Sequence, residues 1–226
     1  MFIGHYGPAV WDAHRADGVR LWHGFLAVQA VDIVTMLLTI AGIEGQTPPD
    51  THPLAFDIPY SHSLVGSLLI SVAAALLYRL LRPKAGTKGM VVIGGLAFSH
   101  WVLDLIVHRP DMPIWPGGDT LLGLGLWNYA WPAYGLEVLL LGGMIAWWLR
   151  VTRGPLWTAV ASWALVTAMS VIQFFVMTKP TLDLQQTGTL PPQPDGVGPS
   201  VAGLVIFFVF AGVVALIERG REPKTR

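Results

Sequence analysis

Residues Gly89–His108, GMVVIGGLAFSHWVLDLIVH, decide the fold. The run is long and apolar enough to cross the roughly 30 Å hydrocarbon core of a bilayer as one helix, yet it carries His100 and Asp104 inside it and His108 at its end. An ionisable side chain at the centre of such a helix costs about 2.5–3.5 kcal/mol even on lenient insertion scales. A histidine and an aspartate placed there mark a functional site.

Working outward, five more apolar runs of similar length occur at 19–43, 62–82, 133–150, 155–178 and 200–218, which makes six spans. Composition agrees: of 226 residues 53% are apolar and only 12% charged, and the mean hydropathy is positive, as in polytopic membrane proteins rather than soluble domains. The fold class predicted is all-α, a polytopic membrane helix bundle forming a single integral membrane domain over 1–226, with short re-entrant or interfacial segments. Leu121–Trp131, broken by glycines and followed by Pro132, reads as such a segment. Met1–Arg20 lacks the basic start, continuous apolar middle and small-residue cleavage site of a removable signal peptide.

The net charge of zero hides an asymmetry. Arg15, Arg20, Arg79, Arg82, Lys84, Lys88, Arg150, Arg153, Arg219, Arg221, Lys224 and Arg226 fall on one side of a six-span arrangement, and only Arg109 and Lys179 on the other. The positive-inside rule then puts both termini in the cytoplasm and segments 44–60, 109–132 and 179–199 outside, as expected of a protein of the bacterial inner membrane. Basic residues scattered at membrane edges, with no basic face interleaved with aromatics, exclude nucleic acid as a partner. With no cysteine, any metal must be held by nitrogen and oxygen donors. No internal repeat supports an inverted-repeat transporter. Spans five and six carry few polar side chains, so 151–226 reads as scaffold and 1–150 as the region that holds the chemistry.

Positions i, i+4 and i+8 of a helix advance by about 40° and rise by about 6 Å per step, so His100, Asp104 and His108 form one stripe. Neighbours can share a metal, whereas His108, about 12 Å from His100 along the axis, serves a second metal, an outer shell or a substrate. Asp57-Ile58-Pro59-Tyr60-Ser61-His62-Ser63 stands at the outer start of span two, with Ser61 or Ser63 as its cap and His62 in its first turn. Asp32 lies mid-span beside Gln29 and Thr35 with no cation along its helix, which makes it a neutral acid, a ligand or a ligand's orienting partner. Glu137 is a further acid on the outer half of span four. His5 falls on the cytoplasmic side by topology and reaches the others only if its segment re-enters the bundle. His14 and His23, near basic residues, and His52, in a Pro-rich loop, read as solvent or interface residues. Arg109 and Asp111 follow the stripe; an arginine there suits a planar oxyanion, or else forms a surface pair worth little.

The histidine close to the N-terminus (His5), the Ser61-His62-Ser63 at a helix start and the His-x-x-x-Asp of the next helix (His100, Asp104) resemble the membrane-bound metal-dependent hydrolases of the YdjM-like type, over roughly residues 1–150. The resemblance implies a metal site built from those histidines and aspartates and a hydrolase activity. That ligand pattern has been likened to the all-helical zinc phospholipase C and P1 nuclease type. Ser61 stands where threonine is common, and Asp32 and Asp57 stand in for an early acidic pair.

The expectation is therefore that His62, His100 and Asp104, completed by His5, Asp32 or Asp57, hold one or two divalent metals, with zinc first and manganese or iron also suited. His108 or Glu137 would shuttle protons and Arg109 would hold an anionic head group of a lipid or lipid-like phosphoester reaching the site from the bilayer. The rival readings are a metal-ion or proton transporter using the same residues, and a scaffold with a structural metal.

Overall fold

A backbone at membrane depth must satisfy its own N–H and C=O groups, which is why the apolar runs become helices. The computed structural model describes residues 1–13, 19–45, 57–188 and 196–224, so His14, Arg15, His52 and Arg226 lie outside the described residues. A 3-10 turn, Ile3–His5, leads into α1 (Tyr6–Ala9). There follow α2 (Leu21–Val28), α3 (Ala30–Ile40), α4 (Leu64–Leu81), α5 (Gly86–Val107), α6 (Ala130–Val151), α7 (Leu156–Gln173), α8 (Lys179–Thr187) and α9 (Val197–Arg219). Two short antiparallel pairings, β1 (Met112–Pro113) with β2 (Leu121–Leu122) and β3 (Thr152–Arg153) with β4 (Glu222–Pro223), tie loops together. Among the described residues five helices are long and apolar enough to cross a membrane, six if α2 and α3 count as one span bent by 49°. This is the all-α membrane bundle that the hydropathy predicts.

The boundaries differ from the sequence reading in informative ways. Span one breaks at Gln29, whose backbone leaves the helical region and whose amide reaches the Phe2 carbonyl at 3.4 Å. Span two starts later than expected: Ser63 is the cap, accepting from the Gly66 N–H at 2.9 Å, so His62 precedes the helix instead of projecting from its first turn. A Cβ on Gly66 would lie 1.7 Å from the Tyr60 oxygen, so only glycine lets the turn before α4 fold back onto it. Span five runs past its predicted end, through the π-helical turn Phe174–Thr178 into α8, with Pro180 close to the join. Leu121–Trp131, as the sequence suggests, is not a span of its own: it forms β2 and a 3-10 turn and enters α6 at Ala130. His23 is buried beside Trp22 and pairs with the Tyr78 hydroxyl at 3.2 Å, so it is not an interface residue.

On α5 the buried residues include Gly89, Ile93, Leu96, Ala97, His100, Asp104 and Val107, a spacing of three and four that makes one face. That face carries His100 and Asp104 into the core instead of the lipid. The N-terminal segment meets it from the other side. Ile3, His5 and Tyr6 are fully buried, Tyr6 packs on Phe25 at 4.5 Å, and Glu137 of α6 accepts the Phe2 and Gly4 N–H groups at 2.7 and 3.2 Å. These bonds satisfy a short non-spanning turn at depth, the condition on which His5 can reach the site.

Candidate metal centre

Asp104 is the hub. Its Oδ2 lies 3.0 Å from His100 Nε2 and 3.4 Å from His62 Nε2, while Oδ1 lies 3.1 Å from His5 Nε2 and 3.7 Å from His108 Nε2. The Met1 amine also contacts Oδ1. Asp32 Oδ1 closes the first side of the cluster, 3.5 Å from His62 Nε2 and 3.4 Å from His100 Nε2. Four atoms, Asp32 Oδ1, His62 Nε2, His100 Nε2 and Asp104 Oδ2, thus form a ring with edges of 3.0–3.5 Å. Ligands about 2.0–2.1 Å from a tetrahedral zinc stand roughly 3.3 Å apart; each of these edges is close to that spacing, and the ligand atoms of Asp32, His62 and His100 are all near enough to one another to share a cation.

The outer nitrogens show which imidazole atoms are free to ligate. His100 Nδ1 lies 2.7 Å from the Val28 carbonyl, which can only accept, so Nδ1 carries the proton and Nε2 presents a lone pair. His62 Nδ1 lies 3.0 Å from Ser61 Oγ, and that hydroxyl donates to Glu44 Oε2 at 2.7 Å; Ser61 therefore accepts from His62, whose Nε2 is again the free atom. His108 Nδ1 faces the Asp111 carboxylate at 2.9 Å. Imidazoles anchored through one nitrogen, with the other aimed inward, are the arrangement that orients metal-ligating histidines. Outside the spanning helices, burial pushes His5 down to about 3, and burial also lowers His108. In both the shift favours the neutral imidazole, the form that can either ligate a metal or take up a proton.

A further test of fit is the set of buried polar atoms without a hydrogen-bond partner, which includes both His5 nitrogens, His100 Nε2 and Asp104 Oδ2. Such groups cost about 1–3 kcal/mol each when nothing satisfies them. His5 Nε2 lies at one oxygen of Asp104 and His100 Nε2 at the other, so three of these atoms gather at a single carboxylate, where a cation would satisfy them. Three overlapping groups have ligand atoms close enough to share an ion: Asp32, His62 and His100; His5, His100 and Asp104; and His62, Asp104 and His108.

The structure brings His5, Asp32, His62, His100, Asp104 and His108 together. His108 departs from the helical stripe that its spacing predicts: α5 ends at Val107, the His108 backbone leaves the helix, and its ring turns back toward Asp104. Asp57 stands apart from the three groups and contributes its backbone carbonyl to the Gly45 N–H at 2.8 Å. Glu137 binds the N-terminal backbone and Gln173 Nε2, at 2.9 Å for the latter, so it positions the segment carrying His5 instead of shuttling protons. Arg109 turns to the 126–128 turn, donating to Asn128 Oδ1 at 2.9 Å and the Trp127 carbonyl at 3.2 Å, and does not line the cavity beside the cluster. That cavity, of about 450 Å³, has Asp32, His62, Asp104 and His108 at its polar end.

Glu44 is the residue that sequence reasoning missed. It is buried and also accepts the Tyr60 and Ser61 N–H groups, so it fixes the turn that delivers His62. Glu44→Gln is expected to lower metal affinity by about 10–100-fold, the range for outer partners of ligating histidines. Competition against a chelating dye reads the change, and an unchanged affinity would remove Glu44 from this role.

Comparison of the chain with family models, with curated proteins and with solved structures gives no match.

Proposed function

We propose that this protein is a membrane-embedded metal-dependent hydrolase that cleaves an ester or phosphoester of a lipid or lipid-like molecule, the activity that its resemblance to the YdjM-like membrane hydrolases implies. The observation that carries the reading is the gathering of buried histidines around the Asp104 carboxylate, which with Asp32, His62 and His108 forms the polar end of an otherwise apolar cavity. Asp32, His62, His100 and Asp104 would hold the principal ion, with His5 beside Asp104 as a further donor. A bound divalent ion, zinc first and manganese or iron also suited to these ligands, supplies Lewis acidity and brings the pKa of water at the site toward neutrality.

The chain's own residues do the rest. His108 Nε2, with Asp111 holding its Nδ1–H, takes a proton from the water that attacks the substrate carbonyl or phosphorus. As the ester C–O or P–O bond breaks, the same nitrogen returns that proton to the leaving alkoxide. Burial of the cluster keeps bulk water from competing. The arginine distribution supports a cytoplasmic membrane location with both termini inside and the cavity open toward the outer leaflet.

The test is hydrolysis of outer-leaflet phospholipid by the purified protein in vesicles, before and after chelation and remetallation. His108→Ala is expected to keep its metal and lose turnover by at least about 10²-fold, the lower end for a general acid–base group. Metal-dependent ion flux with no product would instead favour the transporter reading.

A further inference from the structure

Away from its polar end the cavity becomes a slot between α3 and α9. Met36 and Thr39 line one wall, Gly203, Ile206 and Phe207 the other, and Val176 of the π-helical turn closes the back. Outside the slot the same two helices present Leu37, Ile40, Val201 and Val205, all exposed and apolar, so this face of the bundle meets lipid. One end of the space is ionic and buried, and the remainder is apolar and borders the bilayer. That polarity is the polarity of an amphiphile. At about 450 Å³ the whole cavity, polar end included, lies in the lower half of the roughly 300–1,000 Å³ range of small-ligand pockets, the scale of one slender chain and not of a two-chain lipid.

Gly203 controls the width. A Cβ built there would stand 2.4 Å from Met36 Cε and 2.8 Å from its Sδ, so the Met36 side chain lies directly on the glycine. A larger residue at 203 must displace the end of Met36, and both residues line the cavity. Methionine is flexible enough to move without disrupting the helices.

We propose that the slot between α3 and α9 takes the single hydrocarbon chain of an amphiphilic substrate, laid so that its head linkage reaches the Asp32–His62–Asp104 end, and that Gly203 with Met36 sets the length of chain accepted. The chain reaches the slot sideways from the bilayer, between the exposed apolar residues of α3 and α9. The substrate class this names rests on the hydrolase reading; occupancy of the slot does not.

The experiment is therefore a binding measurement on purified protein stripped of metal. A fluorescent polyene alcohol of one chain is the probe, and saturated alcohols of increasing length compete with it, none of them hydrolysable. Affinity is expected to rise about fourfold per methylene, as burial of each CH₂ gives, and then to level off at a defined length. Gly203→Leu is expected to shorten that limit and to weaken the longest competitors by at least about tenfold, whereas Met36→Ala, which opens the slot, lengthens it. A limit unchanged in both variants, or competition by diacylglycerol alone, would overturn the proposal. Metal content of the remetallated variants shows that they remain folded. Chain-length-dependent binding with no hydrolysis of phospholipid would leave the slot standing and remove the hydrolase reading.

Discussion

Asp104→Asn is expected to reduce metal affinity by more than about 100-fold, beyond the 10–100-fold typical of outer partners, with loss of any metal-dependent activity. No other side chain among the described residues faces four imidazoles, His5, His62, His100 and His108, through its two carboxylate oxygens. The substitution keeps the shape and removes the charge. An amide is a poorer, uncharged ligand, so a cation held by the cluster loses the charge that balances it. Elemental analysis after equilibration against buffered metal reads the result, and near wild-type stoichiometry in Asp104→Asn would show that the hub lies elsewhere.

The second large effect is expected at Glu137. Glu137→Ala leaves the part-buried Phe2 N–H and the buried Gly4 N–H and Gln173 amide without an acceptor. At about 1–3 kcal/mol for each unsatisfied group, the N-terminal turn is destabilised by several kcal/mol and withdraws His5 from Asp104. The predicted signature is selective: residues 1–9 become accessible to hydrogen exchange while α4 and α5 stay protected, and metal affinity falls. Global unfolding at ambient temperature, or unchanged protection of residues 1–9, would contradict this role.

How far the sequence reveals these features depends on whether the determining contacts are local. The face of α5 that buries His100 and Asp104 follows from helical periodicity, and the cost of burying their charges makes the site legible in the sequence itself. The three-residue motif around His62 is likewise legible, but its placement is not, because the choice of Ser63 over Ser61 as cap depends on Ser61 being held by Glu44, a residue across a long connector. Glu44 itself gives no local signal, since a glutamate after an apolar span reads as a solvated end. Of the two stand-in acids, Asp32 meets His62 and His100, and Asp57, though closer in sequence to His62, does not join them. The break at Gln29, between α2 and α3, is a tertiary effect of the N-terminal turn and not a propensity of the residues.

The division into a chemical region and a scaffold is sharper in the sequence than in the fold. The ligand candidates do all lie in the first half of the chain. Yet α7 and its π-helical extension supply Gln173 to Glu137 and Val176 to the cavity, and α9 supplies the wall with Gly203. Apolar spans look alike in sequence, and only packing shows which of their faces meets a cavity and which meets lipid. The expected role of Arg109 fails for a related reason: its position after the stripe suggests a substrate anion, but Asn128 and the Trp127 carbonyl, brought over by the following loop, take its donors.

The central claim is that the buried histidines and aspartates form a metal centre. X-ray absorption spectroscopy of the purified wild-type protein, combined with elemental analysis, tests it directly. The account predicts one or two equivalents of a divalent metal with a first shell of imidazole nitrogen and carboxylate oxygen at about 2.0–2.2 Å and no sulfur, lost in His100→Ala. Folded wild-type protein that takes up no stoichiometric zinc, manganese or iron would contradict it.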